Sequence, residues 1–81
     1  MKQEIKNRWT GKVQFTAEID ATEETPLSIR IGMAVKWAIK NNANLTDADL
    51  TRANLTGADL TRADLTGAWF NFWFGWKIVK A

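Results

Sequence analysis

The chain has 81 residues and a formal charge of +2, with 25% charged and 46% hydrophobic residues. It contains no Cys, His or Tyr, and Ser28 is its only serine, which removes disulfide staples, thiolate metal sites, the commonest general base and the nucleophilic triads. The expectation is one domain with no cofactor, no metal and no enzymatic chemistry; a chain this short removes only about 60% of its unfolded surface from water, so its five Trp and four Phe must pack densely.

Charge is segregated along the chain. Residues 1–13 sum to +3, residues 14–29 to −4, residues 30–42 to +3, residues 43–67 to −2 and residues 68–81 to +2. The first six residues carry charge and no apolar run, so no secretory signal is read there and a cytosolic protein is expected. The longest apolar stretch, residues 68–76, is interrupted by Asn71 and is far below the roughly 20 residues that span a bilayer.

From Lys12 to Ile19 polar and apolar residues alternate, with Val13, Phe15, Ala17 and Ile19 on one face. That pattern predicts a half-buried strand, preceded by a turn at Gly11 and by Trp9 as an apolar anchor for the core. Thr25-Pro26 predicts a helix start, with Thr as the cap and Pro at the first helical position. The helix is expected to run to about Asn41. Leu27, Ile31, Ala34, Val35, Ala38 and Ile39 then form one apolar stripe, and Ile29, Met33 and Trp37 form a second. A helix apolar on two sides needs cover on both.

Between Ala43 and Gly67 one five-residue unit recurs five times: Ala-Asn-Leu-Thr-Asp, Ala-Asp-Leu-Thr-Arg, Ala-Asn-Leu-Thr-Gly, Ala-Asp-Leu-Thr-Arg and Ala-Asp-Leu-Thr-Gly. A period of five fits neither the helix repeat of 3.6 nor the strand repeat of 2. A chain that turns a corner at each unit puts every Leu and Ala toward one axis and the other positions toward water. The unit resembles that of the pentapeptide-repeat family. The resemblance implies a right-handed β-helix of square cross-section with four units per coil. It carries Leu45, Leu50, Leu55, Leu60 and Leu65 inward, with Ala43, Ala48, Ala53, Ala58 and Ala63 at the smaller inward positions. Ala63 then stacks over Ala43 and Leu65 over Leu45.

About one coil is too little to bury its own leucines, because about three repeats of a solenoid unit are needed for stability. The flanks are therefore expected to cap it. Ala68-Trp69-Phe70 continues the rhythm once, and Phe72, Trp73, Phe74 and Trp76 follow as an aromatic cap or a homodimer seam. The expected fold is mainly β with one helix: a short right-handed quadrilateral β-helix (43–70), capped by an N-terminal strand region (1–24), a helix (25–42) and an aromatic C-terminal segment (71–81).

Two surfaces compete for function. Members of the family that resemble duplex DNA inhibit or protect DNA-handling proteins, and small phage and mobile-element proteins share this layout. The resemblance implies an inhibitor of a host DNA-binding protein or nuclease complex, anti-CRISPR-like or of the gyrase-protecting kind. Its acidic surface would comprise Glu18, Asp20, Glu23, Glu24, Asp47, Asp49, Asp59 and Asp64. The alternative is an assembly or dimerisation module working through Trp37, Trp69, Phe72, Trp73 and Trp76. Direct nucleic-acid binding through Lys2, Lys6, Arg8 and Lys12 ranks below both, and no membrane partner is expected. For Asn or Asp before each Leu there is also a plainer role, bonding backbone amides at the corners.

Overall fold

The computed structural model describes residues 1–55, 60, 61 and 63–70. Within them the order is β1 (Lys2–Lys6), β2 (Val13–Glu18), α1 (Leu27–Asn41), β3 (Asp49–Leu50) and β4 (Trp69–Phe70). β1 and β2 form an antiparallel hairpin, and β3 and β4 a parallel pair. β1 went unpredicted, because only Ile5 in Lys-Gln-Glu-Ile-Lys is apolar enough to mark a core face.

The hairpin departs from the expected alternation at one place. Ile5 pairs with Phe15, but Lys6 pairs with Val13, so Gln14 has no partner in the ladder. This bulge reverses the faces beyond it. Ala17 and Ile19 are buried as expected, whereas Val13 is exposed. Gln14 reaches the repeat segment, its amide donating to the carbonyls of Asn44 at 2.6 Å and Thr46 at 2.9 Å. Asn7 holds the turn: its Oδ1 accepts the amides of Trp9 and Thr10, and its own amide donates to Lys12. Gly11 completes it at φ +72°, in the left-handed region that glycine enters without strain.

The helix ends where the pattern predicts, at Asn41, with Asn42 in the left-handed conformation behind it. Its start differs from the expectation. Pro26, with ψ 142°, is the cap residue and not the first helical one, and no side chain caps the helix. Thr25 is taken up by a turn instead, its hydroxyl oxygen accepting the Thr22 amide at 3.2 Å.

Both sides of the helix are covered. On one, Trp37 stacks on Phe15 of β2 with ring centroids 6.0 Å apart. On the other, Ser28 accepts the Asn54 amide at 3.0 Å, and Gly32, one turn along, lies so close to the Asn54 carbonyl that a side chain has no room. Gly32, Ala34, Val35 and Ala38 are its buried residues, so the apolar stripe is narrower than the sequence implies; Leu27, Ile31 and Ile39 are half-buried.

The repeat turns a corner at every unit that is described. The amides of Ala48, Ala53, Ala63 and Ala68 each donate to the carbonyl of the Leu three residues before, at 2.9–3.2 Å. Asp49 pairs with Trp69 and Leu50 with Phe70, a register of twenty residues and so of four units. The amide of Asp47 donates to Thr66, and that of Trp69 to Ala48. The register of this pair is the twenty residues that four units of five span.

Leu45, Leu50, Leu55 and Leu60 are buried, and Leu65, which begins a second layer, is half-buried. They do not form a lumen of their own. One continuous cluster joins them to Val35 and Ala38 of the helix and to Ile5 and Ala17 of the hairpin.

Gly32→Ala tests the helix–coil contact. Alanine raises helix propensity by about 1 kcal/mol, but a Cβ against the Asn54 backbone forces a separation that costs about 1–3 kcal/mol. Urea unfolding is expected to show net destabilisation, while Lys36→Ala on the exposed side stays within about 0.5 kcal/mol of the parent. A stabilised Gly32→Ala protein contradicts the close approach.

Candidate functional site

The repeat's acidic positions are built into its corners. Asn44, Asp49 and Asp64 each accept, through Oδ1, the amide of the Thr two residues on, at 2.9, 3.2 and 3.1 Å. The hydroxyls of Thr51 and Thr66 donate to the same carboxylate oxygens at 2.8 and 2.6 Å. Asn and Asp thus do the same backbone work, which explains their exchange along the repeat. The Thr66 hydroxyl, and then its amide, hold the Asp64 carboxyl below its ordinary value of 3.8.

Asp47 is half-buried, in the left-handed region at φ 61°, and its carboxylate occupies the space a side chain at Gly67 would need. Asp49 borders an open recess of about 460 Å³ together with Glu4, Lys6 and Arg52, a wall of mixed sign. Glu18, Asp20, Glu23 and Glu24 are all exposed. Glu18 stands opposite Lys2 at the open end of the hairpin, its carboxylate 3.4 Å from the amino group of Met1. The coil meets the other end, where Asn7 bridges to Ala48. Five residues of strand, roughly 16 Å, separate the two ends, so the acidic segment and Asp47 belong to different ends of the molecule. Asp59 lies outside the described residues.

The turn end carries a different arrangement. The Arg8 amide donates to the Asp47 carbonyl at 2.8 Å, and its Nη1 donates to the Gly67 carbonyl at 2.7 Å. Its guanidinium carbon lies 4.1 Å from the ring centre of Trp9 and 4.2 Å from that of Trp69. The two indoles are 6.4 Å apart. Arg8 Nε is buried with no hydrogen-bond partner, and among the described residues no carboxylate lies within salt-bridge distance of Arg8. Ring faces and one carbonyl hold this charge. Trp9 is 68% exposed and Trp69 43%.

Trp9 is thus not the core anchor expected of it. The tight turn from Asn7 projects it outward, and the twenty-residue register brings Trp69 beside it. Of the other aromatic candidates, Trp37 is half-buried under Phe15, and Phe72, Trp73 and Trp76 lie outside the described residues. Lys2, Lys6 and Lys12 are exposed along the hairpin. Sequence reading separated Arg8 from Trp9 and Trp69; the only available signal was the adjacency of Arg8 and Trp9 in a turn.

Residues 41–71 match the family model described as pentapeptide repeats (8 copies). The chain therefore carries a pentapeptide-repeat segment, and such repeats imply a β-helix-type fold, in keeping with the corners and the register above. Comparison with curated proteins and with solved structures gave no match. Among the described residues no helix is long and apolar enough to cross a membrane, and no group of three or more side chains is placed to hold a metal ion.

The corner chemistry makes a pH prediction. Because the folded-state value of Asp64 lies below its unfolded one, its contribution is present above about pH 4 and is lost as pH falls through the lowered value. Asp64→Asn keeps an oxygen for the Thr66 amide, as Asn44 does for Thr46. Thermal unfolding between about pH 2 and pH 6 is expected to fall less steeply on acidification in Asp64→Asn than in the parent; identical acid limbs contradict the assignment.

Proposed function

We propose that this chain is a non-enzymatic protein-binding module whose working surface is Arg8 held between Trp9 and Trp69. Its repeat acts as scaffold, one coil of a right-handed quadrilateral β-helix. The observation that carries this reading is the exposure of two tryptophans around a cation with no carboxylate within salt-bridge distance among the described residues. Trp and Arg supply most binding hot spots, because they bury large rigid areas and pair with charge at the same time. Trp9 leaves much apolar area in water, which folding alone does not explain. A protein partner suits the site better than a nucleobase, since Arg8 already fills the gap between the indoles and Gly67 fixes it.

A second reading is favoured by the exposed carboxylates of Glu18, Asp20, Glu23 and Glu24. An inhibitor that meets a host DNA-binding protein or nuclease complex in the cytosol, anti-CRISPR-like, would use them as a partial mimic of phosphate charge. The mixed wall at Asp49 and the half-burial of Asp47 weaken it, since a mimic needs one continuous acidic field.

One experiment separates the two. The immobilised protein is compared with Trp9→Ala and with the quadruple variant Glu18→Lys, Asp20→Lys, Glu23→Lys, Glu24→Lys for the proteins each retains from a cell lysate. Trp9→Ala is expected to weaken retention of a specific partner by about thirtyfold, a hot-spot loss of about 2 kcal/mol. If only the quadruple variant loses it, and loss tracks salt, the acidic reading replaces this one.

A further inference from the structure

The hairpin is electrically polar along its length. Its turn end presents Lys6, Arg8 and Lys12 with the indoles of Trp9 and Trp69, while its open end, where the Met1 amino group and Lys2 offset part of the charge, presents Glu18 and leads into Asp20, Glu23 and Glu24. The acidic loop is followed directly by exposed Pro26 and by Ile29, which is 38% exposed. One end is thus basic and aromatic, the other acidic with an apolar spot beside it. The two ends complement each other in sign and in character, yet within one chain the strand length between them keeps them apart.

We infer that the turn end around Arg8, Trp9 and Trp69 docks on the residue 18–29 region of a second copy of this chain, so that copies associate head to tail. The inference rests on the reading of Arg8, Trp9 and Trp69 as the working surface, and it names the partner. Arg8 supports this occupant in particular. It has no carboxylate within salt-bridge distance among the described residues, whereas the loop adds the exposed carboxylates of Asp20, Glu23 and Glu24 to that of Glu18, which the Met1 amino group holds at 3.4 Å, with no basic residue among positions 14–29. Because the two contacting patches differ, the association is heterologous. Such a contact closes into a ring where the rotation between copies allows it and extends into a chain where it does not. Charge brings the ends together and makes the contact salt-sensitive, and the tryptophans give it apolar area.

Two variants cap the two ends separately. The first, Lys6→Ala, Trp9→Ala and Lys12→Ala, removes the basic end and keeps Arg8, whose bonds to Asp47 and Gly67 hold the turn. The second carries Glu18→Lys, Asp20→Lys, Glu23→Lys and Glu24→Lys. Every altered side chain is exposed, and circular dichroism checks that both variants fold. Sedimentation at about 0.05 M salt is expected to show parent mass rising with concentration above the 9.2 kDa monomer, falling back at about 1 M salt, where screening reaches about 3 Å. Each variant alone stays at 9.2 kDa. Their equimolar mixture doubles in mass and grows no further, since each copy has one working end.

A parent that stays monomeric at every concentration, or a mixture that stays monomeric, overturns the inference. So does a parent that remains monomeric while retaining a single-stranded oligonucleotide through Trp9, which would make the turn end a base-stacking site. The parent's salt dependence does not rely on any variant folding. The lysate capture with Trp9→Ala is read separately: loss of another partner by a monomeric parent sinks the self-association and leaves the surface reading in place.

Discussion

The contact between the backbone of Gly32 and that of Asn54 is the constraint on which the rest of the molecule turns. A single coil has too few layers to enclose its leucines, so a second element must come within backbone distance of it. Only a helix face without a side chain can do so at that point. The approach lets Val35 and Ala38 complete the core that Leu45, Leu50, Leu55 and Leu60 begin. It also fixes the other side of the helix, where Trp37 takes Phe15 and hence the hairpin. What closes the coil from the side is therefore also what carries the hairpin.

The hairpin is secured to the coil a second time, by polar groups. The bulge at Gln14 aims an amide at the carbonyls of Asn44 and Thr46. Asn7 both donates to Gln14 and nucleates the turn that follows. Arg8 then bonds to Asp47 in one layer and to Gly67 in the next. Its reach across two layers depends on the twenty-residue register, so the indole pair exists only when the coil has closed.

Much of the fold was legible because its signals are local. Among the described residues the five-residue period marked the buried Leu45, Leu50, Leu55, Leu60, Ala48 and Ala53 and the twenty-residue register, with Ala43, Ala63 and Leu65 half-buried and Ala58 outside the described residues. The end of the helix followed from its apolar pattern. Three features were hidden for physical reasons. β1 has one apolar residue, too few to set a period. The bulge at Gln14 inverts the faces of a strand whose sequence alternates without a break, and so Val13 is exposed where the alternation points it inward. Hydrophobicity points Trp9 to the core, because nothing in the sequence shows that Trp69, sixty residues away, arrives beside it. The candidate site was correspondingly less legible than the fold, being made of residues that only tertiary structure joins.

The repeat's own chemistry bears on where function can reside. Asn44, Asp49 and Asp64 are occupied by the amides of Thr46, Thr51 and Thr66, and the hydroxyls of Thr51 and Thr66 are spent on the same carboxylates. A side chain held in a corner keeps its charge but gives up the freedom to pair with a partner in optimal geometry. Side chains free for other contacts are then those the corners leave unassigned, at the ends of the repeat and on the elements packed against it. Arg8 and Trp9 lie outside the repeat, and Trp69 replaces the Asn or Asp that the unit would place there. The departure from the repeat, more than the repeat, is where this chain has room for specificity.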